Sequence, residues 1–309
     1  MTHARFDPSD DAPIAAARFM ATDRPWDARL HTALGAALMQ AKRYAEAEAA
    51  FRASLDLDST SSATWNDLAN AARFQGRNED GAAFYRHALA IAPGDGRVLC
   101  NLAATLVDLD RPEEALAAAA GVAEGHPDRA AALCHAAGAR MLQAEPQAAS
   151  ALFAEARRLS PGLIPALCGE GFALLTLGDL PGGFALLQHR WRDEAFLAGA
   201  VNFAESMWLG AEPVAGRRVL LVGEQGLGDT IMFARFAPLL AARGAKVVIR
   251  APAPLLPLLA QLEAELHADT APPPEFDLHV AMMSLPLAFG TTLATIPPTP
   301  YLAADTLGP

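Results

Sequence analysis

Residues 62–93 read SATWNDLANAARFQGRNEDGAAFYRHALAIAP, and they decide the fold of more than half the chain. Thr64-Trp65-Asn66-Asp67-Leu68-Ala69 opens an amphipathic helix, Gln75-Gly76-Arg77 turns it, and Ala82–Ala92 makes a second helix that stops at Pro93. The unit repeats. Pro93, Pro127 and Pro161 are 34 residues apart, Pro25 keeps the same phase, and Ser59 holds the fifth position. Eight residues before these points stand Ala17, Phe51, Tyr85, Ala119 and Phe153, and five before them Met20, Ser54, Ala88, Val122 and Ala156, which read as ring and small-residue slots. A single helix pair cannot bury its apolar face, so successive pairs must stack into one continuous core.

Working outward, the spacing resembles the tetratricopeptide family. Four repeats start near Ala28, Ser62, Gly96 and Ala130, an irregular fifth runs from Ile164 to about Trp191, and Pro13–Ala21 reads as a capping helix. Cys100, Cys134 and Cys168 are also 34 apart, so they echo the repeat and do not read as a disulfide or metal set. The resemblance implies that first helices line a concave groove, with the slot of Thr32, Asn66, Cys100, Cys134 and Cys168 looking into it. Asn66, Asn70, Arg73, Asn101 and His135 are then the expected peptide-contacting residues, with Phe74 and Asp108 beside them. The slots hold no lysine clamp of the chaperone-binding kind. Of the asparagine ladder found in related glycosyltransferases, Asn101 keeps its place, while Asp67 and His135 stand at equivalent positions.

After Trp191 the rhythm stops. Arg218–Val222 reads as a strand, followed by Gly223-Glu-Gln-Gly226-Leu-Gly228-Asp229 and a helix to Arg243; Lys246–Arg250 is a second strand, Leu255–Glu265 a second helix, and Asp277–Met282 a further strand. Such alternation predicts a parallel sheet with ligands beyond the strands' carboxyl ends, where the glycine loop and Met282–Leu285 would meet. The loop order G-x-x-G-x-G is not that of a dinucleotide fold, so no cofactor is expected. Asp229 reads either as a helix cap or as a carboxylate held at the cleft, with glycines clearing an acceptor's path to it.

The run Leu221-Val-Gly-Glu-Gln-Gly-Leu-Gly-Asp-Thr-Ile-Met-Phe-Ala-Arg235, with Asp277-Leu-His279 and Ser284-Leu-Pro-Leu-Ala-Phe-Gly290, resembles the domain that follows the repeats in bacterial tetratricopeptide glycosyltransferases. It is similar as well to the opening loop of heptosyltransferases. The resemblance implies an α plus α/β architecture: a tetratricopeptide solenoid followed by the Rossmann-like first half of a GT-B enzyme of the O-GlcNAc-transferase or heptosyltransferase kind. Arg190-Trp191-Arg192 and Trp208-Leu209-Gly210 match the linker of such proteins. The expected divisions are 1–27 with the capping helix, 28–191 repeats, 192–215 linker and 216–309 Rossmann-like half. Asp229 becomes the expected acceptor base, with Gly226, Leu227, Gly228, His279 and Ser284 around the substrate. Such enzymes hold the nucleotide-sugar in a second half, for which residues 216–309 leave no room, so a donor is expected only where that half is supplied. Asp277, His279 and Ser284 are not read as a hydrolytic triad, because no nucleophile elbow surrounds Ser284.

Composition agrees with two folded units: 309 residues, 52% hydrophobic and 19% charged. A net charge of −11 disfavours nucleic acid and anionic membrane as partners. The acidic start MTHARFDPSDDAP lacks a secretory pattern, and Pro254 and Pro257 break the apolar run after Pro252, so a cytoplasmic protein without a membrane span is expected. Two functions fit: a peptide-binding scaffold fused to a glycosyltransferase-like half that glycosylates a captured protein, or a non-catalytic interaction protein whose sheet is a remnant capping the stack.

Overall fold

The computed structural model describes residues 11–199, 203, 207–224, 226–298 and 301–303. Parts of the expected N-terminal segment and linker, Gln225 and the last six residues lie outside these. The chain divides into two compact units, Met1–Ala166 and Leu167–Pro309, each described by itself.

The first unit is a run of antiparallel helices: α1 Ala12–Asp23, α2 Ala28–Gln40, α3 Tyr44–Leu57, α4 Ser62–Phe74, α5 Asn78–Ile91, α6 Gly96–Asp108, α7 Pro112–Ala120, α8 Arg129–Leu142 and α9 Pro146–Leu159. Their ends follow the repeat. Asp27, Ser61 and Asp95 cap α2, α4 and α6 through backbone N–H groups of Arg29, of Thr64 and of Arg97 with Val98. At the next such position Arg129 stands instead, and α8 starts without a side-chain cap.

The turn within each pair is left-handed at positions 34 apart: Lys42, Gly76, Asp110, Ala144 and Gly178, with φ of 60°, 78°, 55°, 57° and 89°. The following N–H reaches back to the carbonyl five residues earlier, Arg43 to Leu38 at 2.9 Å and Arg77 to Ala72 at 3.0 Å, which closes a Schellman end. Only glycine adopts this conformation without a Cβ penalty of about 1–2 kcal/mol. Replacing Lys42 by glycine is therefore expected to stabilise the protein by about 1 kcal/mol, read as a higher urea midpoint at unchanged slope.

Inside the first, second and fourth of the repeat pairs a small residue on the first helix stands opposite a large one on the second. A Cβ built on Gly35 would lie 2.4 Å from the Phe51 ring, and Phe51 and Tyr85 are both 0% exposed. The repeat period carries the same pairing to Ala69 with Tyr85 and to Ala137 with Phe153.

The second unit opens with the helix pair α10 Ile164–Thr176 and α11 Leu180–Leu187, a short 3₁₀ turn Gln188–Arg192 and α12 Glu194–Gly199. It continues with β1 Arg218–Val222, α13 Leu227–Ala234, α14 Ala237–Ala242, β2 Lys246–Ala251, α15 Leu256–Leu259, β3 Glu265–Ala268, β4 Leu278–Ala281 and α16 Leu285–Ala288. The four strands are parallel in the order β3-β2-β1-β4, with Val219 opposite both Val247 and Leu278. Two expectations are corrected. The helix expected over 229–243 is α13 and α14, because Pro238 cannot donate to the carbonyl one turn back, and Pro near its start suits a new helix. The helix expected over 255–265 ends at Leu259, and its last residue, Glu265, instead begins the edge strand β3.

Alternation along the strands gives the sheet two faces. Val219, Leu221, Val247, Ile249 and Val280 meet α13, α14 and, from the helix pair, Phe184 and Leu187. Leu220, Val222 and Val248 pack on the other side with Phe203 and Phe276. Trp208, 1% exposed, is in the first of these cores, and its backbone N–H donates to the His279 carbonyl at 2.8 Å.

Candidate functional site

The carboxyl ends of β1 and β4 are where the strand order reverses, since β1 is followed in sequence by β2 on one side and flanked by β4 on the other. Two segments meet there: the loop Gly223–Gly226 leading into α13, and Met282–Leu285 after β4.

A buried ion pair locks them. Glu224 and Arg190 have side chains 3% and 8% exposed and form a two-pronged contact, with Nε to Oε2 and Nη2 to Oε1 each 2.9 Å. The remaining groups are also used. Arg190 Nη1 donates to the Leu187 carbonyl at 2.8 Å and Nη2 to Ser284 Oγ at 2.9 Å, Ser284 Oγ donates to Gln188 Oε1 at 3.1 Å, and the Met283 N–H donates to Glu224 Oε1 at 3.1 Å. Burial pushes the Glu224 carboxyl above the usual carboxylate range, against the pull of Arg190. The guanidinium carbon also lies 5.1 Å from the Trp191 ring centre.

Asp229 stands in the first turn of α13, half-buried. The cap reading is corrected: Gly226 is the N-cap residue and no side chain caps this helix, so Asp229 is favoured there by the helix dipole alone. A Cβ on Gly226 would lie 3.6 Å from Asp229 Oδ2, whereas one on Gly228 would meet nothing within 4 Å. Gly226, Leu227 and Gly228 are exposed. Asp229 also edges a cavity of about 340 Å³ whose walls are mainly apolar, with Phe172, Phe184, Phe233 and Met283 among them.

Ser284 and Asp229 belong to this edge, but His279 does not join them. His279 alternates with Leu278 and Val280 and so faces the opposite side of the sheet, where its ring is 4.8 Å from that of Phe203. Ser284 is 0% exposed and its hydroxyl is engaged by Arg190 and Gln188, so it holds the loop and does not present itself to a substrate.

In the first unit, the slot expected to open into the groove is corrected. Asn66, Cys100 and Cys134 are 1%, 6% and 8% exposed, because the helices pack through that position. Asn66 Oδ1 accepts from Asn101 Nδ2 at 3.0 Å, tying α4 to α6, and its own Nδ2 donates to Asp67 at 3.2 Å. Asn70 accepts from the Tyr85 hydroxyl at 2.6 Å. Arg73 pairs with Asp108 at 3.1 Å on the surface, and burial, with Arg73 nearby, lowers the pKa of His135. Asn70, Arg73, Asn101 and His135 are thus the part-exposed members of the expected set.

Burial pushes the Cys100 thiol up to about 11 and Cys134 to about 12. Since the thiolate is the nucleophile, both are expected to resist iodoacetamide at pH 8 in the native protein and to label quickly in urea, which mass spectrometry of quenched samples measures.

Sequence reasoning misses Arg190, Glu224 and Gln188 as site residues. The one signal it offers is Glu224 placed two residues after the apolar run Val219–Val222, where a buried carboxylate would demand a partner.

Comparison with known proteins follows this division. The pattern of the tetratricopeptide repeat matches residues 28–61 and again 62–95. Protein FlbA of Caulobacter vibrioides is 28% identical over 233 residues, covering 73% of this chain and 33% of FlbA, so the chain spans about a third of that relative's length. The match is longer than the first unit and so reaches into the second. Among solved structures, a tetratricopeptide repeat protein from Parabacteroides merdae is 15% identical with a TM-score of 0.51, covering 58% of this chain and 70% of its own. PilW, a type IV pilus biogenesis factor, is 22% identical with a TM-score of 0.50, covering 56% of this chain and 82% of its own. At these identities the likeness is one of fold. Among the described residues no helix is long and apolar enough to cross a membrane. The two matched patterns show that this chain contains tetratricopeptide repeats, and its helix pairs keep the same period beyond residue 95.

Proposed function

We propose that the chain is a protein-binding scaffold whose repeats hold a protein or peptide acceptor, and that its second unit is the acceptor-side, Rossmann-like half of a GT-B glycosyltransferase. The observation that carries this reading is Asp229, an approachable carboxylate at the reversal point of a parallel sheet of order 3-2-1-4. That order is shared with the first strands of doubly wound nucleotide-binding sheets.

In this reading Asp229 takes the proton of an acceptor hydroxyl. The hydroxyl oxygen bonds the anomeric carbon of a hexose or heptose, and the bond from that carbon to a nucleoside diphosphate breaks, the diphosphate leaving with the electron pair. The nucleotide-sugar is bound by a second half, supplied on the same polypeptide or separately. General bases contribute roughly 10²–10⁴-fold. With the donor half present, Asp229→Asn is expected to slow sugar transfer by at least about 100-fold, measured with radiolabelled donor, while acceptor capture by the repeats is unchanged. Undiminished transfer would exclude Asp229 as the base.

A second reading, a non-catalytic scaffold with a remnant sheet, is favoured by one observation: Phe184 and Leu187 of the last helix pair lie in the same core as β1 and α13. If the sheet served only to cover that pair, deleting residues 216–309 would cost solubility without any lost sugar chemistry, and retained partner binding would locate binding in the repeats.

A further inference from the structure

The face that α4, α6 and α8 build together carries one charge that nothing in the first unit neutralises. Asp67, Asn70 and Arg73 stand on it from α4, Asn101 and Asp108 from α6, and His135 from α8. Most of these groups are matched. Asn101 Nδ2 donates to the buried Asn66 Oδ1 at 3.0 Å, the Tyr85 hydroxyl donates to Asn70 Oδ1 at 2.6 Å, and Arg73 pairs with Asp108 at 3.1 Å. Burial, with Arg73 nearby, lowers the pKa of His135, so that ring is neutral at pH 7. Asp67 is the exception. It is half-buried, its Oδ1 accepts from Asn66 Nδ2 at 3.2 Å, and among the described residues it forms no ion pair. Its Oδ2 has no partner among them and is not sealed from water. Burial pushes the Asp67 carboxyl above the usual carboxylate range, and the Asn66 amide and the Arg97 charge on α6 offset this only in part. Glu48, another sheltered carboxylate with its side chain 13% exposed, is instead met by Arg52, Arg77 and Gln75. A carboxylate drawn partly out of water without a counter-charge is costly, and a cation brought from outside offsets that cost.

We infer that this face docks an extended segment of the partner protein through a lysine or arginine, whose cationic head pairs with Asp67 Oδ2. The unused halves of the flanking amides, Asn70 Nδ2 and Asn101 Oδ1, have no partner among the described residues, are not sealed from water, and offer a donor and an acceptor to the segment's backbone. This deepens the proposed function and rests on its protein-binding part, not on the chemistry at Asp229. A basic segment complements a chain of net charge −11 as well as the carboxylate itself. A metal ion is a poorer occupant, because among the described residues no group of three His, Cys, Asp or Glu side chains is placed to hold one.

The full chain, labelled with ¹⁵N-asparagine, tests this through the side-chain amides of Asn70 and Asn101. Ac-Ala-Ser-Lys-Ser-Ala-NH2 is expected to shift both saturably, and the same peptide with Nε-acetyl-lysine, which loses the charge, to bind about tenfold more weakly. Asp67→Asn should abolish that difference and raise the urea midpoint of the free protein, because a half-buried charge without a counter-charge is removed. Asp67→Lys should turn the preference towards Ac-Ala-Ser-Glu-Ser-Ala-NH2. Equal binding of the charged and acetylated peptides would overturn the proposal, as would an Asp67→Asn protein that keeps the preference, or a lysine peptide without effect at millimolar concentration. Putrescine shifting the same amides as strongly as the lysine peptide would mark a bare cation site and overturn it too. The two levels fail separately. If sugar transfer depends on Asp229 but the lysine peptide does not bind, the docking site alone is wrong. If the peptide binds and transfer survives Asp229→Asn, the base assignment is wrong and the docking site stands.

Discussion

Arg190→Ala is expected to destabilise the second unit by about 3–5 kcal/mol, the range for removing one member of a buried ion pair. The size follows from what is left behind. Glu224 is 3% exposed in its side chain and receives both prongs of the guanidinium; without Arg190 it retains, among the described residues, only the Met283 N–H. The same truncation releases the Leu187 carbonyl and removes a donor from Ser284, so the end of α11 and the turn after β4 both lose a tie. Hydrogen exchange at the β1 and β4 amides is the direct measurement, with faster exchange expected in Arg190→Ala.

The double variant Arg190→Met with Glu224→Met separates the pair from its surroundings. Apolar replacement of a whole buried pair is often neutral, so the double variant should recover most of the loss. If it is as unstable as the single variant, the stabilisation comes from the hydrogen bonds to Leu187 and Ser284 and not from the charges. An undisturbed Arg190→Ala would mean that the network is incidental to the second unit's stability.

The contrast between the two units shows which kinds of structure a sequence displays. The helix pairs were legible because every repeat rewrites the same pattern, so Pro93, Pro127 and Pro161 mark the stops and Ala28, Ser62 and Gly96 the starts, each one residue after the cap the structure shows. The left-handed turns were less visible, since Lys42, Asp110 and Ala144 occupy a position that only Gly76 and Gly178 announce. There the 6→1 backbone bond, not the side chain, sets the conformation. In the second unit β1 stood out as an apolar run, but β3 has only four residues, none of them buried, and no alternation to betray it. Pro238 lay inside a convincing apolar periodicity, and its missing N–H outweighed that pattern. Asp229 could be placed from its glycine loop, a local signal. Glu224 and Arg190 are 34 residues apart with no motif linking them, and only the folded sheet shows that each is the other's counter-charge. His279 and Ser284, five residues apart, looked like neighbours; period-two alternation sends His279 to the far face.

Phe51→Ala is the second large expected effect, about 3–5 kcal/mol of lost stability, coupled to one specific position. The ring is 0% exposed and lies against Gly35, where an added Cβ would be 2.4, 2.6 and 2.8 Å from three of its carbons. Removing the ring opens a cavity between α2 and α3, next to Leu34, Leu38, Ala47 and Ala50 in the same core. Gly35→Ala in the natural background should also destabilise, by about 1–3 kcal/mol, because a phenyl ring cannot give way as a flexible chain end would. The two changes together should then sum to less than their separate effects, since the new methyl occupies space that the ring has left. The third repeat already contains that combination: Ala103 and Ala119 stand at the positions of Gly35 and Phe51, both buried. Because each repeat relies on its neighbours, loss of Phe51 should speed amide exchange in α1 and α4 as well as in its own pair. Urea unfolding of the two single variants and the double variant gives the coupling energy. Strict additivity would mean that ring and glycine are not a matched pair, and that the 34-residue pairing of small with large is a coincidence of packing.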